Sequence, residues 1–451
     1  MNALERIAEA TRGTKWEGWL FAVGGCVRDA LLGLPEGTDF DVVTEESSQE
    51  LANFLYTMGV SSIPPVAYPR FGTALVRIGE ANVEIVTARR ESYAPESRKP
   101  KVAPATLLED ARRRDFTVNT LLRNLHTGEL LDPLGIGLTD LRERVLRTPL
   151  DPEATFSDDP LRMLRAVRFR WRLGLTPAES LYDAIRQKRS RLSIVSVERI
   201  RNELVLMLEH PTAADALGEL MDLGLLELFL PELKEGADVD QGDYHLKSVW
   251  EHTLDVVRNA TAYHDLRITL AALFHDVGKP RTRSVDQDGR IRFFRHERVG
   301  AEITREAMSR LRFSREMTEQ VSALVRNHMR LGSMELFTPT AARRLVRDLG
   351  ELVDPLVKLC RADAEAIRAT PPRADFDEIE RRIAEVRAAA SPKQLGSPLS
   401  GHEVMRLLHL RQGPEVGKWL RKLEEAVIDG TIPPNNKRAA REWLLREAGE
   451  P

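Results

Sequence analysis

Strand-forming runs stop at about residue 155, and beyond that point apolar residues recur at helical spacing, with Pro177, Pro211 and Pro231 marking breaks. Before it, short β-rich runs (Phe21-Ala-Val, Phe40-Asp-Val-Val, Thr73–Ile78 and Val83–Val86) alternate with helical stretches such as 47–58. The pattern predicts an α+β chain: a small mixed sheet backed by helices, followed by a mainly helical remainder. At 451 residues the chain is too long for one core and is expected to divide into about two to four domains. A loop at Lys234–Gly242, the break Thr370-Pro-Pro-Arg and the linker-like Ser391–Pro398 give expected domains at 1–150, 151–238, 239–370 and 371–451.

Charged residues make up 30% of the chain, and no apolar run approaches the ~18 residues of a membrane span. The N-terminus is amphipathic and carries acids, which is not the pattern of an export signal. Cys26 and Cys360 lie far apart in unrelated contexts, with no disulfide framework, as suits a reducing cytoplasm. The net charge of −3 conceals a basic stretch: between Arg162 and Arg201 there are eleven Arg or Lys against three acids. A polyanion could lie there, although a solvated helical face would leave the same charge run.

The chemistry-bearing motifs begin at Gly24-Gly25, which follow the apolar run Leu20–Val23. Glycines there let the backbone approach a phosphate, and the amides opening the next helix favour an anion. Asp39 and Asp41, spaced i, i+2 in a strand, share one face and can hold divalent metal ions for phosphoryl or nucleotidyl transfer. Glu84, in Asn-Val-Glu-Ile-Val, can supply a third carboxylate from a neighbouring strand.

Gly24-Gly25-x-x-Arg28-Asp29 followed by Asp39-x-Asp41 resembles the nucleotidyltransferase head of the polymerase-beta superfamily, specifically the bacterial-type (class II) tRNA nucleotidyltransferase (CCA-adding) and poly(A) polymerase family. The resemblance implies a polymerase-beta-like head with Mg²⁺ on Asp39 and Asp41 and the nucleotide near Gly25 and Arg28. It extends to Arg113-Arg114-Asp115-Phe-Thr-Val-Asn119, a run that in the family contacts ribose and phosphates, preceded by a mobile loop. Guanidinium forks suit triphosphate oxygens. Asp159, Arg162, Arg165 and Arg168 match the family's Asp-x-x-Arg segment, and arginines three apart form a cationic rail while Leu161, Leu164 and Val167 face a core. Glu198 and Arg201 match the region where the family reads the Watson–Crick edge of CTP or ATP, with the choice between Arg199 and Arg201 open; Ser196 is the expected N-cap.

A second constellation comprises His252, His275-Asp276, His296, His328 and Asp363. His275-Asp276 follows an apolar run and precedes Val-Gly-Lys-Pro, much as in HD-family metal phosphohydrolases. The resemblance implies an all-α HD domain with His252, His275, Asp276 and Asp363 as core ligands of Mn, Ni or Fe. It leaves His296 and His328 as candidates for a second metal or a substrate phosphate.

The C-terminal run Pro398–Met405 and the Gly413–Leu420 segment resemble the helical tail with which CCA-adding enzymes pack on tRNA. Together these resemblances imply CCA addition to the tRNA 3′ end from CTP and ATP, releasing pyrophosphate. Partial CC or A addition, a poly(A) polymerase, and an HD hydrolase with a degenerate RNA-binding head are the alternatives. The expected partners are tRNA, CTP and ATP, with no membrane and no oligomeric state read from sequence.

Overall fold

The computed structural model describes residues 1–94, 97–240, 248–332, 337–367 and 374–449. Two compact units are present: one built from Met1–Met207 and Asp215–Phe229, the other from Leu208–Ala214 and the described residues from Leu230 onward. Among the described residues, no helix is long and apolar enough to cross a membrane.

The first unit holds a seven-stranded sheet made from β1 (Phe21–Val23), β2 (Asp39–Thr44), β3 (Val66–Tyr68), β4 (Thr73–Ile78), β5 (Ala81–Thr87), β8 (Leu122–Asn124) and β9 (Leu130–Leu131), in the order β3-β4-β5-β2-β1-β8-β9. β6 (Arg89–Ala94) and β7 (Ser97–Pro104) form a separate antiparallel pair. Only β2 and β5 run parallel within the large sheet, and their register sets Asp41 beside Glu84. Alternation then decides which face does what. Phe40 and Val42 of β2, and Val83 and Ile85 of β5, enter a core shared with Leu51 and Leu55 of the helix Ser48–Thr57. Asp39, Asp41 and Glu84 therefore fall on the opposite face.

The expected strands and the helix at 47–58 are present with ends shifted by a residue or two. The pair β6/β7 lies in the segment before Arg113 that the resemblance implies to be a mobile loop, and Pro95 and Glu96 fall outside the described residues. Two further pairs were not expected. One is the parallel contact of β10 (Val145–Leu146) with β11 (Thr176–Pro177); the other is the hairpin of β12 (Arg283–Val285) and β13 (Ile291–Phe293). The hairpin turn is Asp286-Gln-Asp-Gly289, with Gly289 at φ +80° and Asp286 accepting from the Asp288 and Arg290 amides. That Asp-Gly turn signal is present in the sequence, but the flanking strands of three residues are too short to show an alternation.

In the second unit the helices Val249–Thr261, Leu266–Phe274, His296–Arg310, Arg315–Asn327 and Val353–Ala366 pack together. The helix Leu266–Phe274 is buried from Ile268 to Phe274, which explains why its sequence is apolar all round. The residues Gln241–Lys247 and Arg368–Arg373, at two of the expected breaks, lie outside the described residues. Helices Gly401–Leu407, Pro414–Ile428 and Lys437–Ala448 close over a core that includes Val404, Leu423, Val427 and Leu444.

Candidate functional sites

The face of the sheet that carries Asp39 and Asp41 opens on a cavity of about 850 Å³. Its wall includes Gly24 and Gly25, Arg28, Asp39, Asp41, Arg114, Asp115, Asn119, Arg165, Arg168 and Phe169. Gly24 has φ +78°, and a Cβ there would stand 3.3 Å from Asp41 Oδ2, so the turn needs glycine both for conformation and for room. The helix Gly25–Leu31 starts there with no side chain capping it, which leaves its first amides available to an anion. The protein surround desolvates Asp41 and raises its pKa, with Asp39 adding to the effect, while burial and then Asp41 raise Glu84. Two carboxylates, Asp41 and Glu84, whose ionised forms are disfavoured by their setting, suit a bound cation.

Arginines supply the opposing charge. Arg28, Arg114, Arg123, Arg165, Arg168 and Arg172 all line the cavity. Arg28, Arg165 and Arg168 lie 5.0, 5.2 and 4.3 Å from the centroid of the Phe169 ring, which spaces three like charges around one apolar body. Their directions are fixed by acids. Arg165 donates to Asp115 Oδ2 through Nε (2.9 Å) and Nη2 (2.6 Å), and Arg168 donates to Glu203 at 2.6 Å. Arg28 donates to Asn119 Oδ1 at 2.6 Å, while Asn119 Nδ2 donates to Asp115 at 3.0 Å. Leu161, Leu164 and Val167 are buried as their spacing implied. The arginine rail is thus partly neutralised.

Arg113 and Arg114 share one anchor. Buried Asp110, three and four residues before them, accepts Arg113 on Oδ1 (2.9 and 2.5 Å) and Arg114 on Oδ2 (3.1 and 2.9 Å). Sequence reading did not single out Asp110, Glu203, Phe169, Arg123 or Arg172. The i, i+3 and i+4 spacing of Asp110 to the two arginines was the available signal for the first; Glu203 lies far from Arg168 in the chain and gave none.

Several expected residues lie off the cavity wall: Glu84, Arg113, Asp159, Arg162, Glu198 and Arg201. Arg162 reaches the Arg113 carbonyl at 2.5 Å, next to Arg114, and Asp159 pairs with Arg199 at 2.8 Å. Arg201 instead donates to its neighbour Asn202. The helix Val197–Leu208 opens directly after Ser196, whose carbonyl accepts from the Ile200 amide.

The second unit gathers all six residues of the histidine constellation. His252, His275 and Asp363 form one group that could hold a metal ion, and Asp276, His296 and His328 form another. Asp276 stands between them: Oδ2 lies 3.2 Å from His275 Nε2, and Oδ1 lies 3.4 Å from His296 Nε2 and 3.8 Å from His328 Nε2. The histidines are oriented by their own backbone. Nδ1–H of His275, His296 and His328 donates to the carbonyl three residues earlier at 2.7–2.8 Å, so in the neutral ring Nε2 carries the lone pair toward the cluster. His275 Nε2 is buried with no hydrogen-bond partner among the described residues. Burial lowers the His275 pKa, but Asp276, Asp363 and the Ala272 carbonyl together outweigh it and push the value up to about 8, whereas burial and His275 pull His328 down to about 4. Asp276 and Asp363 stay ionised well below the usual carboxylate range. This donor set fits borderline divalent metal ions. Burial pushes the Cys360 and Cys26 thiols up, consistent with neither being a nucleophile.

The loop after His275 passes close to the helix His296–Arg310. A Cβ on Gly278 would stand 2.2 Å from the His296 carbonyl oxygen and 2.6 Å from the Gly300 nitrogen. Gly278→Ala is therefore expected to destabilise this unit by about 2 kcal/mol, the scale of overpacking a tight contact, and to lower metal content by displacing His296. Thermal unfolding and elemental analysis of the purified variant check this. A variant with wild-type stability and metal content would show that the contact relaxes freely.

Family models match three stretches of the chain. A "Poly A polymerase head domain" matches residues 20–147, a "Probable RNA and SrmB-binding site of polymerase A" matches 174–236, and an "HD domain" matches 249–369. The chain is 37% identical over 443 residues to the A-adding tRNA nucleotidyltransferase of Deinococcus radiodurans, covering 95% of each protein. The chain belongs to the tRNA nucleotidyltransferase family. It is also 37% identical to the CC-adding tRNA nucleotidyltransferase of Thermus thermophilus, covering 94% of this chain and 93% of that one. In fold, this tRNA nucleotidyltransferase matches the crystal structure of the Bacillus stearothermophilus CCA-adding enzyme in complex with CTP, with a TM-score of 0.72 at 24% identity over 98% and 96% of the two chains.

Proposed function

We propose that this tRNA nucleotidyltransferase adds CCA to the tRNA 3′ end from CTP and ATP. The observation that carries the reading is the juxtaposition of Asp39 and Asp41 with the uncapped Gly25 helix and six arginines around one cavity. Asp39 and Asp41, with Glu84 beside them, would hold Mg²⁺, which when bound stabilises the charge developing between the attacking hydroxyl and the triphosphate. Arg114, Arg165 and Arg28 would orient phosphate oxygens, with their forks already set by Asp110, Asp115 and Asn119. The 3′ oxygen of the tRNA bonds to the α-phosphorus as the bond to the bridging oxygen breaks, and pyrophosphate leaves. The basic helical region and the C-terminal helices would bind tRNA by backbone and shape, in a cytoplasmic setting.

Partial addition is the second reading. It is favoured by the names of two relatives at 37% identity over nearly the whole chain, one A-adding and the other CC-adding. Offering tRNAs that lack one, two or three terminal nucleotides CTP, ATP or both, with products sized to one nucleotide, separates the readings. Extension of all three substrates to full length supports CCA addition. Stopping after CC, or acting only on the substrate lacking A, supports division of labour.

Base selection belongs to side chains. Two acid–arginine pairs have the same three-residue spacing: Glu198 with Arg201, and Asp159 with Arg162. The second is linked through the Arg113 carbonyl to the segment that lines the cavity. A single bidentate base contact is worth roughly 1–3 kcal/mol of discrimination, so removing the arginine that reads the base is expected to cost about one to two orders of magnitude in selectivity against UTP and GTP. Comparing Arg162→Ala, Arg199→Ala and Arg201→Ala in misincorporation assays identifies which one does so.

In the second unit we propose a metal-dependent phosphohydrolase. His252, His275 and Asp363, with Asp276 Oδ2, would hold one Mn, Ni or Fe ion. Asp276 Oδ1, His296 and His328 would hold another.

A further inference from the structure

We propose that the β12–β13 hairpin with Phe294 and Arg295 is a docking surface for the 3′ end of single-stranded RNA, placing a terminal phosphate at the adjacent histidine–aspartate cluster. The inference rests on the phosphohydrolase reading of that cluster. Residues 279–298 carry seven Lys or Arg against three acids. Some of that charge is spent internally: Lys279 on Asp276 (2.6 Å), Arg281 on Glu235 (2.7 Å) and Arg292 on Asp286 (3.0 Å). Arg283, Arg290 and Arg295 are exposed, and their side chains have no carboxylate partner among the described residues.

At the tip of this basic surface an aromatic ring faces water. Phe294 is 73% exposed, the most exposed large aromatic side chain described, and Val285 on the paired strand is 56% exposed. The backbone holds it there. Arg295 takes the left-handed conformation, φ +61° and ψ +25°, which a residue with a Cβ rarely adopts. It is this turn that sends His296 inward while Phe294 stays outside.

The surface is wired to the cluster. His296 Nδ1–H donates to the Phe293 carbonyl at 2.8 Å, and the Lys279 ammonium lies 5.5 Å from the Phe293 ring centroid and 2.6 Å from Asp276 Oδ2. Charge selects the occupant. An apolar protein partner would bury three arginines without counter-charges, whereas a polynucleotide pairs its phosphates with them and stacks a base on Phe294. Stacking needs an unpaired base, so the fitting form is a single strand. In the hydrolysis this serves, a water oxygen bonds to phosphorus, the ester P–O bond breaks, the RNA 3′ oxygen takes a proton, and inorganic phosphate leaves.

The test uses the full chain loaded with Mn²⁺, and compares it with Phe294→Ala and with the double variant Arg283→Glu, Arg290→Glu. One arm crosslinks a single-stranded RNA carrying a 3′-terminal 4-thiouridine and 3′ phosphate, with the crosslinked peptide identified by mass spectrometry. The other takes the ratio of kcat/KM for release of that phosphate over kcat/KM for 4-nitrophenyl phosphate. Crosslinks on 283–295 and a ratio about tenfold lower in both variants support the proposal. Crosslinks elsewhere, an unchanged ratio, or equal capture of a duplex overturn it. A change of oligomeric state in Phe294→Ala, with crosslinking retained, also overturns it and assigns the face to self-association. Crosslinking to the hairpin with no hydrolysis of either substrate removes the phosphohydrolase reading but keeps the docking surface.

Discussion

Asp41→Ala is expected to abolish nucleotide addition to tRNA by at least about three orders of magnitude, because metal-assisted charge stabilisation is worth several kcal/mol and each 1.4 kcal/mol is tenfold in rate. The same variant is expected to hydrolyse 4-nitrophenyl phosphate at the rate of the parent, since Asp41 sits in the first compact unit and the histidine cluster in the second. His275→Ala is expected to do the reverse: nucleotide addition persists, while phosphatase activity and the metal equivalent held with His252 and Asp363 are lost together. His328→Ala removes a member of only one of the two groups, so elemental analysis is expected to show loss of about one of two metal equivalents. Folded variants that each lose both activities would refute two independent sites. A parent with a single metal equivalent would leave His296 and His328 to a phosphate.

How much of this was legible beforehand depended on chain distance. β2 and β5 were readable as β-rich apolar runs, and the alternation over their first four or five residues puts Asp39 and Asp41 on the face away from Phe40 and Val42. The parallel register that sets Glu84 beside Asp41 pairs residues 43 positions apart and follows only from the strand order. His275-Asp276 stood out because two metal-binding residue types end an apolar helix. That Asp276 divides its two oxygens between two groups of histidines could not be read, since spacing gives proximity along a helix and not across four of them. The same limit hid the acids that hold the arginines. A row of arginines at i, i+3 and i+6 looks like a free cationic surface until Asp115 and Glu203, brought in from other segments, are seen to occupy it.

Asp115 carries the second large expected effect, because one buried carboxylate ties four residues of the first unit together. It accepts from Arg165, Asn119 and the Phe116 amide, and through Asn119 it fixes Arg28. Burial would raise its pKa, but Arg165 and the hydrogen bonds outweigh burial and hold it well below the usual carboxylate range. A group whose folded pKa is depressed contributes stability that is full above its unfolded value, about 3.9, and fades as the pH falls below it. Breaking a buried ion pair from one side costs about 3–5 kcal/mol. Because the Arg165 side chain is 33% exposed, the lower end, about 3 kcal/mol, is the expectation for Asp115→Asn at pH 7. For a unit of this size that corresponds to a drop of about 6–12 °C in unfolding temperature. The gap between parent and variant is expected to begin narrowing as pH is lowered from 7 to 3.5, since the unfolded parent then takes up a proton that the folded form, with its depressed pKa, does not, and the nucleotide KM is expected to rise as Arg165 loses its anchor. Thermal unfolding across that range checks the sign. A gap that stays constant with pH would assign the loss to packing and hydrogen-bond geometry around Asn119, and the electrostatic role of Asp115 would fall.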